Sequence, residues 1–506
     1  MILAMTQHVV YAWEDPKALF AEAVEAHWKW DLDEAIRLYG RVIASDPYHA
    51  RAFFNRGVAY RSKAKEDLAL ADFNQAIAID PEMPDALYSR GIIYMQRNMF
   101  DKAINDVDKV LKLDPNHAEA LRIRTRASLA VGDTAAAIRD LTELVKLFPA
   151  DSELYFLRAG AYQGRKETRN ALEDLNKTLE LNPKNATAWL NRGNLFFGLD
   201  EMKKAVQDYN EAINLDTKCA EAFNNRGWAQ SILGNLDAAR RDLSRATKLD
   251  PKLVKAISNR AAVLRKMDRN EEALADYTRL LEMGEDGPEV YITRGETLVD
   301  LGRFADALKD FDKAMTKRQN SPQVQALRGY CLVMLGQYKK AIPDLDAALD
   351  AGSQDAQVLV HRGIAHEALK SYSAAIKDFS NAINIDPGAA TADMFYRLGR
   401  AYLLNRQYDP AVSTFSTVIN MQPSNGLAYA NRGVAYKDLK QYEPALENFR
   451  QALKLLDQPA RIEIVTKLLK ETQELVKASM PPNPLDAIVG DTSEREKEPA
   501  KEAGFW

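Results

Sequence analysis

One alanine every 34 residues constrains this chain more than any other feature. Ala35, Ala69, Ala103, Ala137, Ala171, Ala205, Ala239, Ala273, Ala307, Ala341 and Ala375 keep the interval, and Ala411 and Ala445 resume it after two extra residues, Gly388 and Ala389. Numbering residues 218–251 from 1 to 34 puts Gly227 at position 10, Ala239 at 22, Ala246 at 29 and Pro251 at 34. Thirteen such copies fit between Glu14 and Asp457. A fixed period in this range marks a repeated supersecondary unit that buries its apolar face only against its neighbours, so one elongated array replaces the several domains that 506 residues would otherwise suggest.

Within each copy, apolar residues recur at intervals of three and four in two stretches of about a dozen residues, the period of amphipathic helices. Glycine at position 17, as in Gly132, Gly234, Gly302 and Gly336, ends the first helix. Proline at position 34, as in Pro47, Pro81, Pro115, Pro149, Pro183, Pro251, Pro387 and Pro423, ends the second. Small residues at 10 and 22 let the two helices cross closely, and a larger apolar residue at 26 (Tyr39, Phe73, Tyr209, Tyr277, Phe311, Phe379, Phe415, Phe449) fills the space beside the crossing. The expected fold class is an all-α solenoid of tandem helix-turn-helix units.

Gly at 10, an aromatic often at 13, Ala at 22, Phe or Tyr at 26, Ala at 29 and Pro at 34 together resemble the tetratricopeptide repeat family. The resemblance runs through residues 14–457 and implies a right-handed superhelix whose first helices line a concave groove that binds proteins or peptides. The chain departs from it at position 9, usually leucine in the family and usually arginine here.

Copies two to eleven pair that arginine with an aspartate at position 25, from Arg56 with Asp72 to Arg362 with Asp378. Both are absent from copy one (Glu22, Leu38) and copy twelve (Leu398, Thr414), while copy thirteen keeps Arg432 opposite Asn448. The joint change points to a bidentate ion pair between the two helix layers, within a repeat or to its neighbour.

Basic and acidic residues number 68 and 72, spread through the repeats, with nothing to suggest the dense positive face that nucleic acid requires. Cys219 and Cys331 lie more than three copies apart, so no disulfide is expected. The apolar start MILAMTQHVVYA lacks Lys and Arg, no run reaches transmembrane length, and the expected compartment is the cytoplasm.

The expected layout is an extension over 1–13, the repeats over 14–457 with the insertion at 388–389, a capping helix over 458–480 and a disordered tail over 481–506. Trp13, Trp28 and Trp30 cluster in copy one and are expected to form a cap core over the open end of the stack. Copies eight to ten have Glu285, Gln319 and Ser353 in place of the final proline, and Pro343 falls inside a second helix, so a kink and a hinge are expected there. Phe505 and Trp506 at the end could be a short docking motif.

The sequence holds no glycine-rich phosphate loop, nucleophile elbow or Cys-x-x-Cys pair. His361 and His366 are five apart, the wrong spacing for one helix face to hold a metal. Neither enzyme activity nor a cofactor or metal is expected. By the resemblance, positions 4, 7, 8 and 11 face the groove. Copies six to eight place Asn191, Asn225 and Asn259 at position 8, with Asn194 and Trp228 at 11, Asn224 at 7 and Lys255 at 4. A planar amide both donates and accepts, so a ladder of asparagines can grip the backbone of an extended peptide. Importin-like and O-GlcNAc-transferase-like solenoids are similar in using such ladders.

Asn55 and Asn431 show that asparagine at position 8 also occurs alone, which leaves a repeat subtype as the other reading. The set is also similar to the carboxylate clamp of chaperone-binding adaptors at Asn194, Asn225 and Lys255. Leu190 and Asn259 stand where that clamp has basic residues, leaving one fixed cation. The expected function is a non-catalytic adaptor or scaffold for a protein or peptide partner. The alternatives are a structural part of a cytoskeletal or ciliary assembly held by convex faces and ends, and a clamp-type co-chaperone. Self-association is left open.

Overall fold

The computed structural model describes residues 15–317 and 321–479. The expected extension over 1–13, Trp13, and the tail with Phe505 and Trp506 lie outside them. The described residues form 27 α-helices and one 3-10 turn, without a strand among them. Packing divides the chain between Ala256 and Ile257, within the helix Val254–Lys266. In the first unit successive helices pack in antiparallel-connected pairs, such as Ala186–Gly198 with Met202–Leu215 and Ala220–Ile232 with Leu236–Leu249. The second unit repeats this from Pro288–Asp300 with Phe304–Lys317 onward, and ends in the longer helix Pro459–Ser479. The fold is an all-α solenoid of helical hairpins.

The crossing inside each hairpin explains the invariant alanine. All thirteen position-22 alanines are fully buried. A Cβ added to Gly57 would stand 2.7 Å from the Phe73 ring and 3.2 Å from the Ala69 carbonyl oxygen; at Gly193 it would stand 2.7 Å from the Tyr209 ring. Position 26 therefore packs its ring on the bare backbone at position 10. Burial of each such ring contributes about 2 kcal/mol.

The turn at position 17 is more uniform than the sequence suggests. In every copy this residue has φ between 56° and 84°, although only Gly132, Gly234, Gly302 and Gly336 are glycines. Ala64, Lys166, Asp200, Lys370 and Lys440 adopt the same left-handed conformation. It lets the next N–H reach back to the position-13 carbonyl, as from Asp133 to Ser128 at 2.8 Å and from Glu167 to Tyr162 at 2.9 Å, which closes the helix end.

Local expectations are revised or sharpened at four places. Trp28 and Trp30 do not form a cap core: they are 83% and 69% exposed. Trp30 occupies the left-handed turn and Trp28 the end of its helix, both beyond the packed face that Leu19, Ala23, Leu38 and Tyr39 build. Tyr338–Asp350 is one continuous helix with Pro343 inside it. The inserted Gly388 and Ala389 form a 3-10 turn with Pro387, closed by Asp386, whose carboxylate accepts from the Ala389 N–H at 3.1 Å. Helix Pro459–Ser479 buries Val465 and Thr472 completely, while Leu475 stays 38% exposed.

Candidate functional site

The arginine at position 9 is the first polar group to place, because it borders the face that carries the asparagines. In copy six, Arg192 donates from Nε and Nη2 to the two carboxylate oxygens of Asp208 at 2.7 and 2.8 Å, and from Nη1 to Asn176 Oδ1 at 2.7 Å. Arg226 does the same with Asp242 and Asn210, each contact at 2.7 Å. The guanidinium thus ties the two helices of its own repeat and reaches position 27 of the repeat before. Asp208 and Asp242 are 4% and 7% exposed, so each carboxylate is committed to this bond. Of the two placements the sequence leaves open, the aspartate pair lies within the repeat. The third contact, to the polar residue at position 27, went unread, although Asn74, Asp108, Thr142, Asn176 and Asn210 stood there as its signal.

With the arginines held, the asparagines connect among themselves. Helix Ala186–Gly198 starts where the Asn185 side chain accepts from the Ala188 N–H, and it carries Asn191 and Asn194 one turn apart. Helix Ala220–Ile232 carries Asn224, Asn225 and Trp228. The Asn194 Oδ1 accepts from the Tyr209 hydroxyl at 2.9 Å and from Asn225 Nδ2 at 2.8 Å. The Asn225 Oδ1 in turn accepts from Asn224 Nδ2 at 2.8 Å. Tyr209 sits at position 26, where most copies have Phe or Leu, and its hydroxyl is the reason that one aromatic reaches the amide network. Burial pushes that hydroxyl's pKa upward, which keeps it a donor.

The network joins Asn194, Asn224 and Asn225 across two copies. Asn224 is 4% exposed, whereas Asn191, Asn194, Asn225 and Trp228 are half-buried. Asn191 makes no hydrogen bond to any described residue, leaving its amide for another group. Lys255 is exposed and Asn259 half-buried, four residues apart on Val254–Lys266; Asn259 belongs to the second unit. Leu190, which stands at the first clamp position, is 8% exposed and part of the core. No group of three His, Cys, Asp or Glu among the described residues could hold a metal ion. No described helix is long and apolar enough to cross a membrane, and both cysteines are free.

Models of the tetratricopeptide repeat match residues 84–117 and 426–458, residues 31–84, 161–218, 258–324 and 327–390, and residues 220–253 and 392–425. The chain belongs to the tetratricopeptide repeat family. As such an array it is a scaffold for protein interactions. The matches leave residues 118–160 uncovered, where copy four has Thr125 at position 10 in place of glycine or alanine.

Among solved structures, the chain is similar to one of Naa15/Naa10 bound to HypK-THB, at 13% identity over 92% of this chain and 79% of that one, with a TM-score of 0.39. It is similar to MamA at 27% identity over 33% of this chain and 96% of that one, TM-score 0.31. A tetratricopeptide repeat protein from Parabacteroides merdae shares 19% identity over 50% of this chain and 98% of that one, TM-score 0.36. A search of the curated proteins finds no match.

Proposed function

We propose that this tetratricopeptide repeat array is a non-catalytic adaptor that holds an extended segment of a partner protein against Asn191, Asn194, Asn224, Asn225, Trp228 and Lys255 of the first unit. The observation that carries the reading is the bonded set Tyr209–Asn194–Asn225–Asn224 beside an uncommitted Asn191. A buried tyrosine and a buried asparagine fix the orientation of the amides between them, so a peptide backbone meets donors and acceptors already aligned and little ordering entropy is lost on binding. Helices about 10 Å apart supply one rung for roughly three residues of an extended chain. Partner capture by the intact chain and by the Asn191→Ala, Asn225→Ala, Asn259→Ala variant, read by mass spectrometry, tests it. Partners lost only from the variant support the reading, and an unchanged partner set overturns it.

A second reading makes the protein a structural part of a larger cytoskeletal or ciliary assembly, held by its convex faces and ends. The exposed Trp28, Trp30 and Tyr48 in the first hairpin and the residue that follows it favour this. The clamp-type reading is weaker, since Asn194 and Asn225 are bonded to each other and Lys255 is the one cation among the residues at the clamp positions. We take the cytoplasm as the compartment and protein, not nucleic acid, as the partner.

A further inference from the structure

Copy twelve has no arginine at position 9 and carries two others instead, Arg397 at position 8 and Arg400 at position 11 of helix Ala392–Leu404. In copies two to eleven each guanidinium meets the aspartate at position 25 through two short bonds, as from Arg362 to Asp378. Here two guanidiniums converge on a single carboxylate, that of Glu367 on the preceding first helix, Ala356–Ala368. Arg400 Nη2 lies 3.2 Å from Glu367 Oε1, and Arg397 Nη1 lies 3.6 Å from Glu367 Oε2. The Arg400 contact is not aligned as a hydrogen bond: Glu367 Oε1 and Arg400 Nε are both buried without a hydrogen-bond partner. Glu367 is 8% exposed, and burial pushes its carboxyl pKa upward against the pull of Arg400 and Arg397.

The surroundings add positive charge. Arg397 Nε donates to the exposed Asp393 at 2.9 Å. Tyr396 accepts from Asn431 Nδ2 of the next copy at 2.9 Å, and Arg461 of the last helix acts on Tyr396 as a nearby cation. Among the described residues, Arg397 and Arg400 thus share the carboxylates of Glu367 and Asp393, with Arg461 as a further cation beside Tyr396. The side chains of Arg397 and Arg400 are 31% and 20% exposed, open to solvent on one edge and desolvated on the other.

We propose that Arg397 and Arg400, with Arg461 nearby, receive a side-chain carboxylate of an acidic protein segment, and that Glu367 is the internal carboxylate competing for the same guanidiniums. A guanidinium is satisfied by two parallel bonds to one planar carboxylate, which neither arginine obtains from Glu367. A dianionic phosphate meets more repulsion from Glu367 and Asp393 than a monoanionic carboxylate does, which favours Asp or Glu as the ligand. This inference rests on the reading that the array binds peptide segments, but it uses no residue of the asparagine set.

The test is fluorescence anisotropy on the full chain with a labelled ten-residue Asp/Glu-rich peptide, amidated at its C-terminus, against a Gln/Ser peptide of the same length. The chain prefers the acidic peptide by at least about tenfold. Arg400→Gln abolishes the preference and Arg400→Lys restores part of it. Glu367→Gln tightens binding severalfold; a purely structural Glu367 would leave it unchanged or weaken it. The Glu367 variant also decides the matter if Arg400→Gln does not fold, as read by circular dichroism.

Equal binding of the two peptides, or no gain from Glu367→Gln, overturns the proposal, as does competition by inorganic phosphate at the concentration of the peptide itself. The variant lacking Asn191, Asn225 and Asn259 keeps the preference. Its loss there would move acidic binding to the asparagine set, overturning this inference while supporting the reading beneath it. Partner loss from the asparagine variant with no acidic preference in the wild type would sink this inference alone.

Discussion

Arg124 and Asp140 face each other across one hairpin with Nε–Oδ2 and Nη2–Oδ1 distances of 2.8 and 2.6 Å, and the remaining Nη1 reaches Asp108 of the preceding repeat at 2.6 Å. Three helices are pinned by one side chain. Asp140 is 2% exposed, so the bond is made largely out of water, where an unpaired charge is costly.

Removing one partner is therefore worse than removing both. Asp140→Ala leaves the guanidinium with its Asp108 contact alone and costs about 2 kcal/mol. Arg124→Leu with Asp140→Thr, the pair that copy twelve has as Leu398 and Thr414, costs less than either single change. Denaturant unfolding of the four chains closes a double-mutant cycle. Additive costs would show that the two side chains act independently.

The turn at position 17 predicts gains in stability. Lys166 and Lys370 hold φ near 60° with a Cβ that the left-handed region disfavours. Lys166→Gly or Lys370→Gly relieves this and stabilises the chain by roughly 1 kcal/mol. The reverse change, Gly132→Ala, costs a similar amount, although no atom lies within 4 Å of the added Cβ. Thermal melts of the three variants check the sign. A destabilised Lys166→Gly would show that its side chain contributes more than its backbone costs.

At position 10 the limit is space, not conformation. Gly193→Val drives its branches into the Tyr209 ring, which a Cβ alone would approach to 2.7 Å, and costs about 3 kcal/mol. Gly193→Ala costs less, because Ala261 already faces Tyr277 in copy eight and shows that the ring can give way. In Gly193→Val, displacement of Tyr209 also moves its hydroxyl from Asn194, so partner capture falls along with stability. Capture unchanged at full loss of packing would disconnect the core from the amide set.

The sequence carried the period, the hairpins and the Arg–Asp pairing because each is written in residues that recur. It did not carry the left-handed turns at Ala64, Asp200 or Lys440, since a helix end can impose that conformation on a residue that does not favour it. Trp28 and Trp30 were misread because apolar character suggests burial, while their places at a helix end and in a turn hold them outside the packed stripe. Among the candidate residues, the ladder of amides was visible, but the bonds joining Asn194 to Tyr209 and Asn225 depend on rotamers that spacing does not encode. The arginines of copy twelve escaped notice because they lie off the periodic positions, one before and two after the place the pattern reserves.

His361 gives the array a pH dependence with a defined sign. Its ring stacks on Tyr330 with centroids 4.4 Å apart, and burial pulls its pKa from 6.5 to about 4, with Asp355 opposing. The unfolded chain therefore binds a proton between these values that the folded chain does not, so stability rises with pH across that window. The contribution is fully present above pH 6.5 and is lost as pH falls towards about 4. His361→Phe keeps a ring against Tyr330 and removes the titration. Below pH 6.5 the variant gains on the wild type as acid is added, by on the order of 3 kcal/mol at pH 4. Carboxylates such as Glu367 titrate in both chains and cancel in the difference. Parallel denaturant curves at pH 7, 5.5 and 4.5 measure it, and a constant gap between the two chains would mean that His361 keeps its proton in the folded state.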